Sequence, residues 1–229
     1  MDLNALTAVC ADDTSFKKCQ NYVTVVSDLT TRRAMDVEKG RDIKAIEQFS
    51  NKLEAKGGDS NKITTFVSDM SSAYMSAKNI CFPNAVQVID KFHVKQRLLE
   101  AMDEVRREEQ GKFSKSKKSG KKLFMITESR QTEQQQTRMA ELSKQYPKTG
   151  RAYRMLQCLD EMYKCENIKD ATKTFNHLVS WLLRSRLAPM KRAARTLKAY
   201  KDNILSYFKN RQTNAIAEGL KLYDLSCCR

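Results

Sequence analysis

Hydrophobic and polar positions divide the first 110 residues into short elements of changing period. Residues 3–11 predict a first strand that stops at Asp12 and Asp13, followed by a polar turn over 14–20. Tyr22-Val23-Thr24-Val25-Val26 predicts a second strand, because β-branched and aromatic side chains fit a pleated, half-buried surface. Residues 34–37 predict a third, and connections this short predict an antiparallel meander. Ile43, Ile46, Phe49 and Leu53 then recur every three or four residues, the spacing of an amphipathic helix. Gly57-Gly58 ends it.

Two more apolar runs follow. Ile63, Phe66 and Val67 lead to Asp69, and Ala85, Val86, Val88 and Ile89 lead to Asp90 and Phe92-His93-Val94. Both are short and flanked by helical patterns, so they predict buried strands of an α/β sheet. Ser71 and Ser72 suit the start of the intervening helix, where a hydroxyl can accept from an unpaired backbone N–H. Val94, Leu98, Met102 and Val105 share one face of a longer helix after Asp90. The predicted order is β-β-β-α-β-α-β-α, an α/β fold over residues 1–110.

From 111 to 208 the pattern predicts an all-α block. Thr132 with Gln135 matches a capping box, and 147–150 reads as a break. Ala152, Met155, Leu159 and Met162 mark one helix, and Phe175, Leu178, Leu182 and Trp181 the core of the next. Met190, Ala194, Leu197, Lys201, Ile204 and Phe208 fall in a single helical register. Residues 209–229 hold the start of a final helix, with a cap at Thr213-Asn214, that is soon cut off.

Charge narrows the partners. Lys and Arg number 42 against 27 Asp and Glu, a net +15 that attracts polyanions, nucleic acid foremost. Lys112, Lys115, Lys117, Lys118, Lys121 and Lys122 lie in one acid-free stretch, which fits a solvated loop or a phosphate-contacting one. No run approaches the ~20 apolar residues of a membrane span, and no secretory pattern opens the chain. These features predict a cytoplasmic protein without a membrane partner. The seven cysteines show no CxxC spacing and are odd in number, which disfavours both zinc and disulfide readings.

Asp12 and Asp69, at the expected ends of two strands, are the candidate chemistry. Ligands of open α/β sheets bind beyond the carboxyl ends of strands. If those strands are neighbours, the two carboxylates converge. Such a pair suits Mg²⁺ or Mn²⁺, with two ions ~3.5–4 Å apart serving phosphoryl transfer. Glu218 is a candidate third carboxylate. Strand-end aspartates also serve as plain helix caps, and spacing alone leaves both readings open.

The segments ADDTSFKKCQNYVTVVSDL (11–29), VSDMSSAY (67–74), FPNAVQVIDKFHV (82–94), LLEAMDEVRR (98–107) and TNAIAEGL (213–220) resemble the ISL3 family of DDE insertion-sequence transposases. The resemblance covers nearly the whole chain and keeps the motif order. It implies a ribonuclease-H-like core over 1–110, a helical insertion over 111–208, and the start of the last catalytic helix over 209–229. It further implies that Asp12, Asp69 and Glu218 hold two Mg²⁺ or Mn²⁺ ions for cleavage and strand transfer at insertion-sequence ends. Asp90 and His93 resemble the aspartate–x–x–histidine pattern of such families. His93 is then either a group that assists at substrate phosphate or a helix-start histidine bonded to a carboxylate. Asp13 departs from a glutamate, and Cys19-Gln20 from a glycine–histidine pair. The expected N-terminal zinc ribbon and helix-turn-helix are missing, as is the continuation beyond Leu220, so a copy truncated at both ends is expected. Self-association or pairing with full-length transposase follows as an expectation. The alternatives are an inactive remnant that binds DNA or transposase without cutting, and a stand-alone nuclease of the same fold.

Overall fold

The strand Ala8–Lys17 (β1) is the middle of a five-stranded mixed sheet in the computed structural model, which describes residues 3–17, 21–111 and 120–209. On one side β1 pairs antiparallel with Asn21–Asp28 (β2), which pairs antiparallel with Arg33–Lys39 (β3). On the other it pairs parallel with Thr65–Ser68 (β4), and β4 pairs parallel with Val86–Ile89 (β5). The order β3-β2-β1-β4-β5 contains the predicted meander and both predicted strands, β4 buried along its length and β5 buried except at its exposed first residue, Val86.

Alternation along β1 sorts its side chains between two apolar clusters. Val9 and Ala11 join Ile46, Phe49 and Leu53 of Ile43–Ala55 (α1) and Tyr74 and Ala77 of Ser72–Cys81 (α2). Ala8 and Cys10 join Leu29, Val67 and Val88, with Tyr207 of the 3₁₀ turn Ser206–Phe208 packed against them. Asp42 caps α1 through a hydrogen bond from the Ala45 N–H. Lys91–Gln110 (α3) buries Val94, Leu98, Met102 and Val105, the face that the sequence pattern marks.

Two expectations in this region need correction. The first strand does not end at Asp12: residues 3–5 form a 3₁₀ turn, and the strand runs from Ala8 through both aspartates to Lys17. The β2 ladder holds these polar residues extended, with Asp12 opposite Val25 and Asp13 opposite Thr24. Ser71 does occupy the N-cap of α2 with extended backbone, but its hydroxyl makes no capping bond.

The described residues divide into two compact units, 3–93 with 202–209, and 94–201. Helices dominate the second, namely Lys121–Phe124 (α4), Glu133–Gln145 (α5), Pro147–Lys164 (α6), Ile168–Arg184 (α7) and Ala188–Ala199 (α8), with Lys201–Leu205 (α9) beginning at its boundary. The capping box of α5 forms as predicted: Thr132 Oγ1 accepts from Gln135 N at 3.3 Å, and Gln135 Oε1 accepts from Thr132 N at 3.0 Å. The break expected at 147–150 is instead a helix start, because Pro147 takes the first helical position, where no N–H is needed. Tyr200 interrupts the single register expected from Met190 to Phe208. Trp181 lies at the flank of the α7 core, only half-buried, beside the His177 ring.

Candidate active site

Sheet register brings Asp12 and Asp69 together. The parallel ladder between β1 and β4 pairs Ala8 with Thr65, Val9 with Phe66 and Cys10 with Val67. Asp12 and Asp69 each lie two residues beyond the Cys10–Val67 pair. β1 continues past this point because β2 still supports it, whereas β4 stops at Ser68 and leaves Asp69 at its carboxyl end. Ser68 is anchored there: Gln87 Nε2 donates to its hydroxyl at 2.7 Å, and that hydroxyl donates to the Asp69 carbonyl at 3.0 Å.

β5 delivers the third group. The Asp90 N–H donates to the Ser68 carbonyl at 3.0 Å, and Asp90 Oδ1 accepts from the Phe92 N–H at 3.0 Å. Asp90 thereby joins the end of β4 to the first turn of α3. The His93 N–H donates to the Asp90 carbonyl at 3.1 Å, which sets the His93 backbone at the head of the helix. From there His93 Nε2 lies 3.2 Å from Asp12 Oδ1 and 3.9 Å from Asp90 Oδ2. The imidazole therefore sits between two aspartates, with the nearer contact to Asp12.

The carboxyl of Asp69 is held above its ordinary range. Burial is the largest cause, opposed by nearby His93 and reinforced by the charges of Asp13 and Asp12. A hydrogen bond from the Ser71 backbone lowers it slightly. Asp12, Asp13 and His93 are thus all near enough to act electrostatically on Asp69. Asp69 Oδ1 is buried and has no hydrogen-bond partner among the described residues. A buried oxygen of this kind costs free energy unless a donor or a cation meets it.

Tyr74 closes the opposite face of the sheet beside Asp13. Thr24, directly across from Asp13, donates its hydroxyl proton to the Gly40 carbonyl at 2.8 Å. The Tyr74 hydroxyl, 3.0 Å from Thr24 Oγ1, must then be the donor in that pair. Burial first, then Asp13, Asp69 and Asp12, push the phenol up and keep it protonated. Sequence reading did not single out Tyr74, although it closes the VSDMSSAY segment.

Not every expected residue is brought to this place. Glu218 lies outside the described residues, as do Lys112, Lys115, Lys117 and Lys118. Lys121 and Lys122 open α4 in the helical unit, both exposed, with Lys121 Nζ 3.7 Å from Asp103 Oδ2. Among the described residues no three His, Cys, Asp or Glu side chains assemble into a group able to hold a metal ion. Asp12 and the bare Oδ1 of Asp69 do fit as part of a hard-cation site, because they offer oxygen donors and one of them has nothing else to bind.

Ligands of open α/β sheets bind beyond the carboxyl ends of parallel strands, and here Asp69 lies at the end of β4, next to the strand that carries Asp12. A family model described as transposase, that of the ISL3 DDE transposases, matches residues 9–222, and the chain belongs to this family. A search of the curated proteins gave no match. The family's work is on DNA. No described helix is long and apolar enough to cross a membrane.

Proposed function

We propose that this chain is the catalytic region of a DDE transposase, cutting DNA strands at insertion-sequence ends and joining them to new sites. Asp12, Asp69 and Glu218 would hold two divalent cations, Mg²⁺ or Mn²⁺. The observation that carries this reading is the bare, buried Oδ1 of Asp69, two residues past the last pair of the parallel ladder, as Asp12 is on the neighbouring strand. The strand order, with its antiparallel meander continued by two parallel strands, supports a ribonuclease-H-like core over 1–110. In the same reading 111–208 is a helical insertion, and 209–229 begins the helix that carries Glu218.

When bound, such ions stabilise charge on the phosphate and activate the attacking oxygen. The chain's own residues do the rest. Asp12 and Asp69 supply hard oxygen donors from two adjacent strands. His93 donates Nε2–H to Asp12 and holds that carboxylate in one orientation. Lys112, Lys115, Lys117, Lys118, Lys121 and Lys122 neutralise DNA phosphates without reading sequence. Water and then a DNA 3′-hydroxyl are the attacking groups, so no covalent enzyme intermediate forms.

A calorimetric Mn²⁺ titration of wild type, Asp12→Asn, Asp69→Asn and Glu218→Gln tests the site. Loss of binding in all three variants is the expected result. Loss in the aspartate variants alone would remove Glu218 from the ligand set and favour a protein that binds DNA without cutting. Unchanged binding throughout would overturn the site. In a strand-cleavage assay, Asp69→Asn should be inactive while retaining nonspecific DNA affinity. Cleavage by wild type without joining of ends would make the protein a nuclease.

A further inference from the structure

The charge of this chain is not spread evenly. Residues 94–201, the helical unit, carry 26 Lys and Arg against 12 Asp and Glu, a net +14 of the chain's +15. Residues 1–93 hold 12 of each sign and are neutral. The six lysines of the 112–122 stretch account for less than half of the helical unit's excess. A second acid-free stretch is longer, running from Arg184 to Lys201 with seven Lys and Arg and no Asp or Glu.

Structure turns that stretch into a surface. Pro189, Met190, Ala193, Ala194 and Leu197 of α8 are buried in the helical unit, which consumes the apolar side of the helix. Its outward side presents Arg192, Arg195 and Lys198, all exposed, with Lys191 at the edge. Arg192 is tied to Glu104 of α3, but Lys191, Arg195 and Lys198 have no carboxylate within salt-bridge distance among the described residues. The α7–α8 turn adds to the same charge. Ser185, buried, donates its hydroxyl to the Leu182 carbonyl at 2.7 Å and accepts from the Leu187 N–H at 3.2 Å. This built turn holds Arg186 at φ 62°, a left-handed backbone that a non-glycine residue adopts at a cost, with the residue exposed. Arg184 closes α7 just before it, also exposed.

We infer that the outer face of α8, with Arg184 and Arg186 at its head, is a binding surface for the phosphate backbone of double-stranded DNA, built from residues other than the 112–122 lysines. Three unpaired cations set along about 10 Å of helix, at 1.5 Å per residue, can engage one or two successive phosphates of a strand. An anionic membrane fits less well, since interfacial helices insert an apolar face and that of α8 is already buried. The surface contacts backbone and not base edges, so it sets affinity and register without choosing sequence. It rests on the reading of the chain as a DNA-acting protein but not on the carboxylate assignment.

The test is fluorescence anisotropy with a mixed-sequence DNA duplex over a range of salt concentrations. It compares wild type with Lys191→Gln/Arg195→Gln/Lys198→Gln and with a charge-matched control, Lys44→Gln/Lys56→Gln/Lys62→Gln, in the neutral unit. The α8 variant should lower the slope of log K against log salt by about one to two, at about 0.9 for each phosphate no longer neutralised, and the control by less than half as much. Circular dichroism melts establish that both variants are folded. Adding Asp69→Asn to each protein should leave these slopes unchanged, so a wrong catalytic assignment would not move the result. Equal reductions in the α8 and control variants would reduce the effect to overall charge and overturn the proposal. So would an unchanged slope in the α8 variant, and loss of its binding to phosphatidylserine vesicles in that case would assign the face to an anionic membrane instead.

Discussion

His93 Nε2 lies 3.2 Å from Asp12 Oδ1 across 81 residues of sequence, joining the head of α3 to the middle strand of the sheet. Asp12 is about one-third exposed, so packing alone leaves its carboxylate room to rotate. His93→Ala removes the Nε2–H donor. Strand cleavage should then fall by about a hundredfold, the penalty of a misplaced reacting group, while stability changes by about 1 kcal/mol or less. His93→Gln keeps an N–H and should recover part of the rate. Cleavage kinetics beside thermal melts of the three proteins decide it, and an undiminished rate in the alanine variant refutes a positioning role.

Asp69 makes stability depend on pH in a direction opposite to that of an ion-paired aspartate. Burial, with Asp13 and Asp12 adding to it, holds its carboxyl above the ordinary 3.8. The folded protein thus binds this proton more tightly than the unfolded chain. The contribution is fully present below the unfolded value and is lost as pH rises through the folded one. In EDTA at neutral pH, Asp69→Asn should therefore melt at a higher temperature than wild type, with the gap closing as the pH falls toward 3.8. Mn²⁺ at a hundredfold excess over its Kd should stabilise wild type by about 2.7 kcal/mol and the variant far less. A variant that melts lower than wild type in EDTA would contradict the burial argument.

The periodicities that define the sheet and helices were legible because packing enforces them. Ile46, Phe49 and Leu53 are apolar at helical spacing since that face covers the sheet, and Phe66 and Val67 lie within a strand buried along its length. The end of β1 was not legible. Its polar residues stay extended because β2 pairs with them, which is a property of the partner and not of the local sequence. Pro147 was misleading for a related reason: the same ring that ends one helix starts another without loss of a hydrogen bond. At the site, Asp12 and Asp69 stood out as acids beside apolar runs. Their proximity required the order β2-β1-β4, which spacing cannot supply. The Arg195 and Lys198 surface escaped because a basic helix face looks ordinary until its apolar side is known to be covered.

Tyr74 gives a prediction in which structure and activity separate. Its hydroxyl is committed to Thr24, whose own proton goes to Gly40. Tyr74→Phe leaves a buried lone pair of Thr24 without a donor, at a cost of about 1–3 kcal/mol. Thr24→Val in the same background should add less than it does alone, because the pair acts as a unit. Cleavage per folded molecule should stay at the wild-type level, since the phenol donates away from the carboxylates. Urea melts of the four proteins measure the coupling, and additive losses would dissolve the pair.

In the helical unit, a polar knot at Lys95 joins α3 to α6, in addition to the bonds that Glu109 of α3 accepts from Lys148 and Thr149. Lys95 Nζ donates to Asp160 Oδ1 at 2.8 Å and Oδ2 at 3.0 Å, and to Thr127 Oγ1 at 2.9 Å, while Thr127 donates to Asp160 Oδ2 at 3.1 Å. Lys95 is 29% exposed but Asp160 only 16%, so the two partners do not suffer equally when separated. A freed lysine can swing its flexible stem toward water. A freed carboxylate stays where it is, with one hydroxyl left to solvate it. Lys95→Met should therefore cost about 2 kcal/mol and Asp160→Asn less, because the amide keeps a Thr127 partner and carries no charge. Replacing both, as Lys95→Met/Asp160→Leu, should recover part of the loss, since an apolar pair removes the stranded charge altogether. Denaturant unfolding of the helical unit in each protein measures these differences. If Asp160→Asn proves the costlier single change, the lysine and not the carboxylate is the group that cannot reach water.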